Sequence, residues 1–232
     1  AAADRNVREG RIRGPLLGIP IAVKDLLAVA DMPNTASSPV LADRVETRDA
    51  GSIQLLKAAG AIITGKTQTH EFALGVTTPQ SRNPWDPTRD PGGSSGGSAI
   101  AVATGMSLGA MATDTRASVR VPASLCGVVG YKPTFGLVPG DGVIMLSWSL
   151  DHIAHMAANV EDTAIMLNIL DPASHVDYTS ALSKNVRGLR VGVPTAALQG
   201  ADPDVVTAFG NAVLGLRESG VTVVEIDTPT EE

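Results

Sequence analysis

Cysteine, aromatic residues and long apolar runs are all scarce in this sequence of 232 residues. The single cysteine excludes a disulfide within the chain and indicates a reducing compartment. No run of about 18 uncharged apolar residues occurs, so no membrane-spanning helix is expected. The first residues, AAADRNVREGRIRG, lack the apolar segment of a secretory signal. These absences favour a protein of the cytoplasm that does not enter a membrane.

Positive charge is also in short supply. The formal net charge is −6 at pH 7, so the chain offers no basic surface to nucleic acid or to an anionic membrane. Aromatic residues make up 3% of the chain although 44% of its residues are hydrophobic. The core must therefore be built from Ala, Val, Leu and Ile, which suits helices that pack closely on a sheet.

Strand-like and helix-like apolar patterns alternate along most of the chain. Strands are predicted over 18–25, 61–64, a run ending at Thr113, 189–193 and 221–226. Helical segments are predicted over 49–59, 69–74, 99–104, 122–125, 161–170 and 202–219. This order predicts an α/β fold, with a mixed, largely parallel sheet covered by helices on both faces. The length predicts a single domain over 1–232, poorly ordered over 1–13.

The stretch from Asp90 to Pro122 is dense in glycine and hydroxyl residues. Ser94 and Ser95 lie between two pairs of glycines, which leave the backbone free to adopt φ > 0 or strained geometry. A third serine, Ser118, follows a polar turn. Two serines on rigid turns suit a nucleophile with a hydroxyl neighbour. Taken alone, the glycine-rich turn is more typical of a flexible or phosphate-contacting loop, although it lacks the GK[ST] of a P-loop.

Several motifs in one order carry a resemblance to a known family. GGSSGGSAIAVATG followed by ATDTRASVRVPASLCGVVGYKPTFG resembles the amidase signature family, serine amide hydrolases with a Ser–Ser–Lys triad. The similarity extends upstream through GIPIAVKD and GKTQTHEFALG, and downstream through LSWSLDHIAHMAANVEDTAIMLNIL and LRVGVP. It covers about residues 14–226, so the resemblance concerns nearly the whole chain.

The resemblance implies a role for each residue that matches a family motif. Lys24 matches the catalytic lysine and Ser118 the nucleophile. The bridging serine, which the family holds by a cis peptide bond, falls on Ser94, 24 residues before Ser118. The implied oxyanion hole consists of backbone N–H groups of Thr115, Arg116, Ala117 and Ser118. The family needs no metal and no organic cofactor, so none is expected here.

The chain departs from the family pattern in two respects. Arg116-Ala117 stands where the family usually has Gly-Gly, or a small residue and Gly, before the nucleophile. Alanine narrows the allowed backbone angles of the oxyanion hole, and Arg116 is a candidate to bind an anionic or carbonyl-rich substrate. Family members are also commonly about twice as long, so the sequence resembles the front part of the family domain, with the C-terminal part absent.

The triad chemistry requires an uncharged lysine. A serine hydroxyl is a poor nucleophile until a base accepts its proton, and a lysine amine can do so only if its pKa falls from about 10.4. Burial lowers a lysine pKa, and Lys24 follows the apolar run Ile19–Val23. Asp25 comes next, but neighbours in a strand point to opposite faces. Ser94 would relay the proton of Ser118 to Lys24.

Other polar residues near the motifs have several interpretations. Ser95, Asp114 and Arg120 are candidates for site support or substrate contact, and Asp114 and Arg120 are expected to pair and hold the turn. His152 and His155 form HxxH, a spacing that can place two metal ligands on one helix face, but no third ligand accompanies them. A Ser-His-Asp triad that uses Asp151 or His152 is the alternative mechanism.

The leading hypothesis is a hydrolase of amide C–N bonds that acts through Ser118, Ser94 and Lys24 on a small-molecule substrate. The alternatives are a glutaminase-type subunit of an amidotransferase, which releases ammonia for a partner, and a truncated, inactive scaffold. Low aromatic content favours a small polar amide. A half-sheet that ends at Ile226 would leave an exposed edge, which predicts a homodimer.

Overall fold

The computed structural model describes residues 2–10, 14–182 and 185–227. The chain divides into two units, Ala1–Thr179 and Ser180–Glu232. The strands of the first unit are β1 (Pro20–Lys24), β2 (Ile62–Thr67), β3 (Gly109–Asp114), β4 (Val129–Tyr131) and β5 (His152–Ala157). Its α-helices are α1 (Ala2–Arg8), α2 (Gly51–Ala58), α3 (Gly96–Ala103), α4 (Arg120–Cys126) and α5 (Val160–Leu170).

The second unit contains β6 (Arg190–Val193), α6 (Pro203–Glu218) and β7 (Thr222–Glu225), and its two strands are parallel. The predicted single domain over 1–232 stays a prediction. Helix α1 occupies part of the segment 1–13, for which the sequence predicts poor order, and residues 1 and 11–13 lie outside the described residues. In the part of the chain described, no helix combines the length and apolar character that crossing a bilayer requires.

The sheet of the first unit has the strand order β2-β1-β3-β5-β4. Strand β1 runs parallel to β2 and to β3, whereas β5 runs antiparallel to β3 and to β4. The prediction of a mixed, largely parallel sheet is confirmed. The C-terminal ends of β1 and β3 therefore meet at one edge, where Lys24 and Asp114 end their strands.

Alternating side chains of the sheet supply two separate cores. Ile21 and Val23 of β1 belong to a core with residues of α2 and α5, whereas Ala22 belongs to a core with residues of α3 and α4. The prediction of helices on both faces is confirmed. The core on the α3 side is built largely from alanine, which lets α3 approach the sheet closely; its buried alanines are Ala22, Ala99, Ala101, Ala110, Ala112 and Ala154.

One residue of β2 interrupts the pairing with β1. Ile21 is opposite Ile63, but Ala22 is opposite Gly65, so Thr64 is an extra residue in β2. The Thr64 hydroxyl donates to the Ile21 carbonyl at 3.3 Å. Such a bulge changes the face to which the following side chains point.

One local prediction was wrong, and strand β5 was not predicted. The helix predicted over 69–74 is a single 3₁₀ turn, Glu71–Ala73, in which Phe72 and Ala73 have φ of 48° and 61°. An α-helix cannot continue through left-handed residues, so the chain turns here instead of extending the helix. The segment HIAHMA, for which the sequence predicted neither a helix nor a strand, forms β5.

Candidate active site

The glycine-rich turn places two serines deep in the first unit. Ser94 and Ser95 are fully buried just before α3. Gly92 has φ of +81°, but a Cβ atom on Gly93 would lie 2.0 Å from the Thr77 carbonyl oxygen. Close packing, rather than positive φ alone, therefore requires glycine in this turn. The peptide bond between Gly93 and Ser94 is cis, the feature that the resemblance implies at Ser94.

Three hydroxyl groups surround the amine at the end of β1. Lys24 Nζ donates to Ser94 Oγ at 2.8 Å, to Ser95 Oγ at 2.7 Å and to Thr113 Oγ1 at 2.8 Å. The Ser95 hydroxyl in turn donates to the Thr113 carbonyl at 3.2 Å. The Lys24 side chain is 0% exposed. These three partners of the amine are all neutral oxygens.

Burial makes this lysine a base near neutral pH. Loss of solvation lowers the pKa of Lys24 to about 7, although the carboxylates of Asp151 and Asp114 act to raise it. Asp25 does not oppose the shift, because its carboxylate points away and pairs with Lys66 at 2.9 Å. The neighbouring residues of the strand therefore have separate partners, as the alternation of β-strand side chains predicts.

Asp114 organises the turn that ends at Ser118. Its carboxylate accepts from the Val119 backbone N–H at 3.1 Å and from two guanidinium nitrogens of Arg120, each at 3.0 Å. The expected Asp114–Arg120 pair is present. The Ser95 backbone N–H donates to the Ser118 carbonyl at 3.2 Å, which joins this turn to the glycine-rich turn.

The residues Arg116 and Ala117, which stand where the family usually has glycine, do not adopt left-handed backbone angles. Among the described residues other than glycine, positive φ occurs only at Asp31, Ala36, Ser37, Phe72 and Ala73, so Arg116 and Ala117 have backbone angles ordinary for L-residues. Within the same ranges, the backbone N–H groups of Thr115, Ala117 and Ser118 donate no hydrogen bond to another protein group. Backbone N–H groups of a turn that have no acceptor within the protein can bind an oxyanion.

A cleft of about 530 Å³ opens at this turn. Ser118, which is 7% exposed, lies on its wall. The cleft is lined by Ala73, Leu74, Gly75, Val76, Thr115, Arg116, Ala117, Ser118, Leu146 and Leu150. The nucleophile and the oxyanion-hole residues named from the sequence therefore share one accessible cavity, with Lys24 and Ser94 buried from solvent.

Comparison with known proteins decides the family. The sequence model described as Amidase matches residues 1–232. The chain belongs to the amidase family. The amidase signature resemblance found in the motifs is confirmed, and the α/β fold agrees with the solved structures of amidases that superpose on this chain.

Relatives of this amidase-family chain include hydrolases and a component of a transferase. An amidase of Pseudomonas putida is 48% identical over 244 residues, which cover 100% of this chain and 52% of the relative. A glutamyl-tRNA(Gln) amidotransferase subunit of Chloroflexus aurantiacus is 44% identical over 98% of this chain and 50% of its own length. The native peptide amidase of Stenotrophomonas maltophilia superposes with a TM-score of 0.89 at 35% identity, covering 97% of this chain and 51% of that chain. The chain spans about half the length of these relatives.

Two residues of the candidate site were not among the site residues predicted from the sequence. Thr113 is a buried partner of Lys24, and its signal was a lone hydroxyl residue near the end of the apolar strand β3. Asp151, which the sequence offered only for the alternative Ser-His-Asp triad, accepts from the Thr115 hydroxyl at 2.5 Å and from the Leu146 backbone N–H at 2.7 Å. Asp151 therefore connects the turn that ends at Ser118 to the loop that forms the other side of the cleft.

The histidines of HxxH form hydrogen bonds with backbone carbonyls other than that of Ser118. His152 Nδ1 lies 2.6 Å from the Leu150 carbonyl and 3.2 Å from that of Asp114. His155 is fully buried, and its Nε2 lies 3.0 Å from the Thr163 carbonyl. In a strand, residues three apart point to opposite faces, so His152 and His155 do not share a face. The described residues contain no cluster of three or more His, Cys, Asp and Glu arranged to hold a metal.

Proposed function

We propose that the chain forms the site of an amide C–N hydrolase in which Ser118 is the nucleophile, Ser94 the relay and Lys24 the base. The single observation that carries the proposal is the buried, hydroxyl-ringed amine of Lys24, 2.8 Å from Ser94 Oγ. A solvated lysine is charged at neutral pH and cannot accept a proton. Burial supplies the missing basicity without a histidine.

The proposed acylation couples two proton transfers, one from Ser118 to Ser94 and one from Ser94 to Lys24. Ser118 Oγ attacks the amide carbonyl carbon while its proton passes to Ser94 Oγ and the Ser94 proton passes to neutral Lys24 Nζ. The backbone N–H groups of residues 115–118 stabilise the oxyanion, each worth roughly 3–4 kcal/mol. The C–N bond then breaks, and the proton returns through Ser94 to the leaving nitrogen. Water cleaves the resulting Ser118 ester by the same route in reverse.

The hydrogen-bond pattern supports Ser94 rather than Ser95 as the relay. The Ser95 hydroxyl is committed to the Thr113 carbonyl, so it serves Lys24 as an acceptor. A neutral amine has two protons and one lone pair, and can donate to Ser95 and Thr113 while it accepts from Ser94. The 2.8 Å distance between Lys24 Nζ and Ser94 Oγ suits a hydrogen bond in either direction.

The second candidate is an ammonia-releasing subunit of an amidotransferase. It is favoured by the 44% identity to the glutamyl-tRNA(Gln) amidotransferase component of Chloroflexus aurantiacus. Such a protein would use the same three residues but deliver ammonia to a partner's acceptor. A homodimer and a cytoplasmic location stay predictions from the sequence.

The test is labelling with a serine-directed fluorophosphonate, combined with ammonia release from a panel of small amides and glutamine. We expect labelling of wild type at Ser118, its loss in Ser118→Ala, and its retention in the control Ser107→Ala, a change at another buried serine. Labelling that survives Ser118→Ala would remove Ser118 from the mechanism. A correctly folded chain that neither labels nor releases ammonia would be the inactive scaffold. Ammonia release from glutamine alone, increased by a co-purifying partner, would favour the amidotransferase.

A further inference from the structure

Exposed aliphatic side chains line the cleft beside Ser118. Leu74 and Val76 follow the 3₁₀ turn, and Leu146 and Leu150 belong to the loop before β5. The exposed fractions of these four residues are 69%, 62%, 37% and 55%, respectively. Apolar surface that remains exposed in a cleft beside reactive groups is typical of a ligand-binding site.

A strained turn presents Leu74 to the cleft. Phe72 and Ala73 have φ of 48° and 61°, angles that cost free energy in residues other than glycine. The Leu74 backbone N–H then donates to the Glu71 carbonyl at 3.0 Å, which closes the turn. The strain leaves a leucine exposed at an accessible cleft, where its side chain can contact a ligand.

Hydrogen bonds fix the two leucines of the other segment relative to the proposed nucleophile. The Asp151 carboxylate accepts from the Leu146 backbone N–H at 2.7 Å and from the Thr115 hydroxyl. The backbone N–H groups of Leu150 and Asp151 donate to the Ser147 carbonyl at 3.3 and 3.0 Å. Both leucines are therefore carried by one turn, which Asp151 ties to the oxyanion-hole segment.

The position of the relay indicates which side of an amide faces these side chains. In the proposed mechanism the leaving nitrogen receives its proton from Ser94, which is fully buried, so the nitrogen must face the interior. The acyl chain then extends from the carbonyl carbon at Ser118 into the cleft of about 530 Å³. Arg116, the charged residue among the described lining residues, interacts with another group of the protein.

We propose that the cleft binds the acyl chain of aliphatic amides, and that its four aliphatic side chains select such amides over polar ones of similar length. This inference rests on the proposed amide hydrolysis at Ser118. It differs from the small polar amide that the low aromatic content favours. The selectivity would come from burial of methylene groups, each of which strengthens binding about fourfold when fully buried.

The first test compares ammonia release from acetamide, butyramide, hexanamide and glutamine. For wild type, kcat/KM should rise with chain length and be at least about 10-fold higher for hexanamide than for acetamide, because burial of two of the four additional methylenes suffices for that gain. Glutamine, which carries an ammonium and a carboxylate, should be a poorer substrate than hexanamide. Equal values for acetamide and hexanamide, or a preference for glutamine, would overturn the acyl site and leave amide hydrolysis intact.

Polar variants of the lining test the contact directly. Val76→Ser and Leu150→Ser should each lower the hexanamide-to-acetamide ratio of kcat/KM by at least about threefold, the effect of about one buried methylene. Val40→Ser is the matched control, because this valine is 83% exposed and lies outside the cleft lining, and it should keep the wild-type ratio. A wild-type ratio in both cleft variants would overturn the assignment.

The second test measures the same contact without catalysis. In titration calorimetry on Ser118→Ala, hexanamide should bind at least about 10-fold more tightly than acetamide, and Ser118→Ala/Leu150→Ser should reduce this difference by at least about threefold. Preferential binding of hexanamide, together with a wild type that hydrolyses no amide, would support the acyl site and overturn the proposed function. Equal binding of the two amides would overturn the acyl site, whatever the wild type hydrolyses.

Discussion

Lys24 Nζ and Ser94 Oγ lie 2.8 Å apart, and neither side chain is exposed to solvent. The contact links β1 to a turn 70 residues further along the chain. Because the amine is surrounded by hydroxyl groups rather than by water, its protonation state depends on the folded protein. The pair is therefore the part of the proposed mechanism most open to experiment.

Replacement of Ser94 and replacement of Ser95 should lower kcat by unequal amounts. Ser94→Ala removes the proposed relay and should lower kcat by about 10²–10⁴-fold, the range typical of positioned proton transfer. Ser95→Ala removes an acceptor of Lys24 and a donor to the Thr113 carbonyl but no member of the proposed relay, so its loss of kcat should be at least tenfold smaller than that of Ser94→Ala. Steady-state ammonia release measures both. Equal losses in the two variants would contradict the assignment of the relay to Ser94.

The pH dependence of amide hydrolysis should follow Lys24. Its pKa is lowered to about 7, and only the neutral amine can accept a proton, so kcat/KM should rise with pH up to about 7 and level off above it. Asp151→Asn removes a carboxylate that raises the Lys24 pKa, and the midpoint should move to lower pH. His152→Asn is the control, and a midpoint that moves with His152 rather than with Asp151 would indicate histidine catalysis.

Burial of Lys24 should also appear in the stability of the fold. Between pH 7 and 10.5 the unfolded chain binds a proton at this lysine that the folded chain does not. The free energy of unfolding should therefore rise with pH in that window, by at most about 5 kcal/mol. Below the window Lys24 is protonated in both states and should add no pH dependence to the free energy of unfolding. Denaturant titrations of Lys24→Met should lack this rise, whereas Lys57→Met should keep it. If the unfolding free energies of wild type and Lys24→Met changed with pH in parallel, the lowered pKa of Lys24 would be disproved.

His155 should make the protein sensitive to acid. Burial lowers its pKa to about 4 from 6.5, although the hydrogen bond to Thr163 opposes this. The unfolded chain binds the proton first, so this histidine destabilises the fold as pH falls from 6.5 toward 4, by about 3 kcal/mol at most. The free energy of unfolding, measured by urea denaturation between pH 4.5 and 7.5, should change less steeply with pH for His155→Leu than for wild type. A variant at the less buried His152, such as His152→Gln, should keep the wild-type dependence of the unfolding free energy on pH.

The sequence predicted most of the fold because its elements have clear local signals. Apolar runs bounded by glycine or proline predicted β1, α2 and β2, and the acidic first turn predicted α5. The errors arose where tertiary packing outweighs local pattern. Strand β5 pairs on both edges, a long-range property that its own residues do not display. The turn at Phe72 has left-handed φ at residues that rarely adopt it.

The candidate site was predictable in its motifs and not in its supporting contacts. Lys24, Ser94 and Ser118 were named because they occupy positions in a family pattern. Thr113 and Asp151 act through contacts made in the folded chain, since no local motif indicates that one reaches the lysine and the other joins two loops. The effect of Arg116-Ala117 on the turn likewise needed its backbone angles.

The extra residue Thr64 in β2 has a consequence for the chemistry of the lysines. Because of it, Lys66 is opposite Val23 and Thr67 is opposite Lys24. Side-by-side residues of parallel strands share a face, so Lys66 points away from the reactive amine and neutralises Asp25. If Thr64 were paired regularly with Ala22 instead of being bulged, Lys66 would stand opposite Lys24 on the same face, and Asp25 would lose its counter-ion. The bulge at Thr64 thus places the two lysines on opposite faces of the sheet and gives each its own partners.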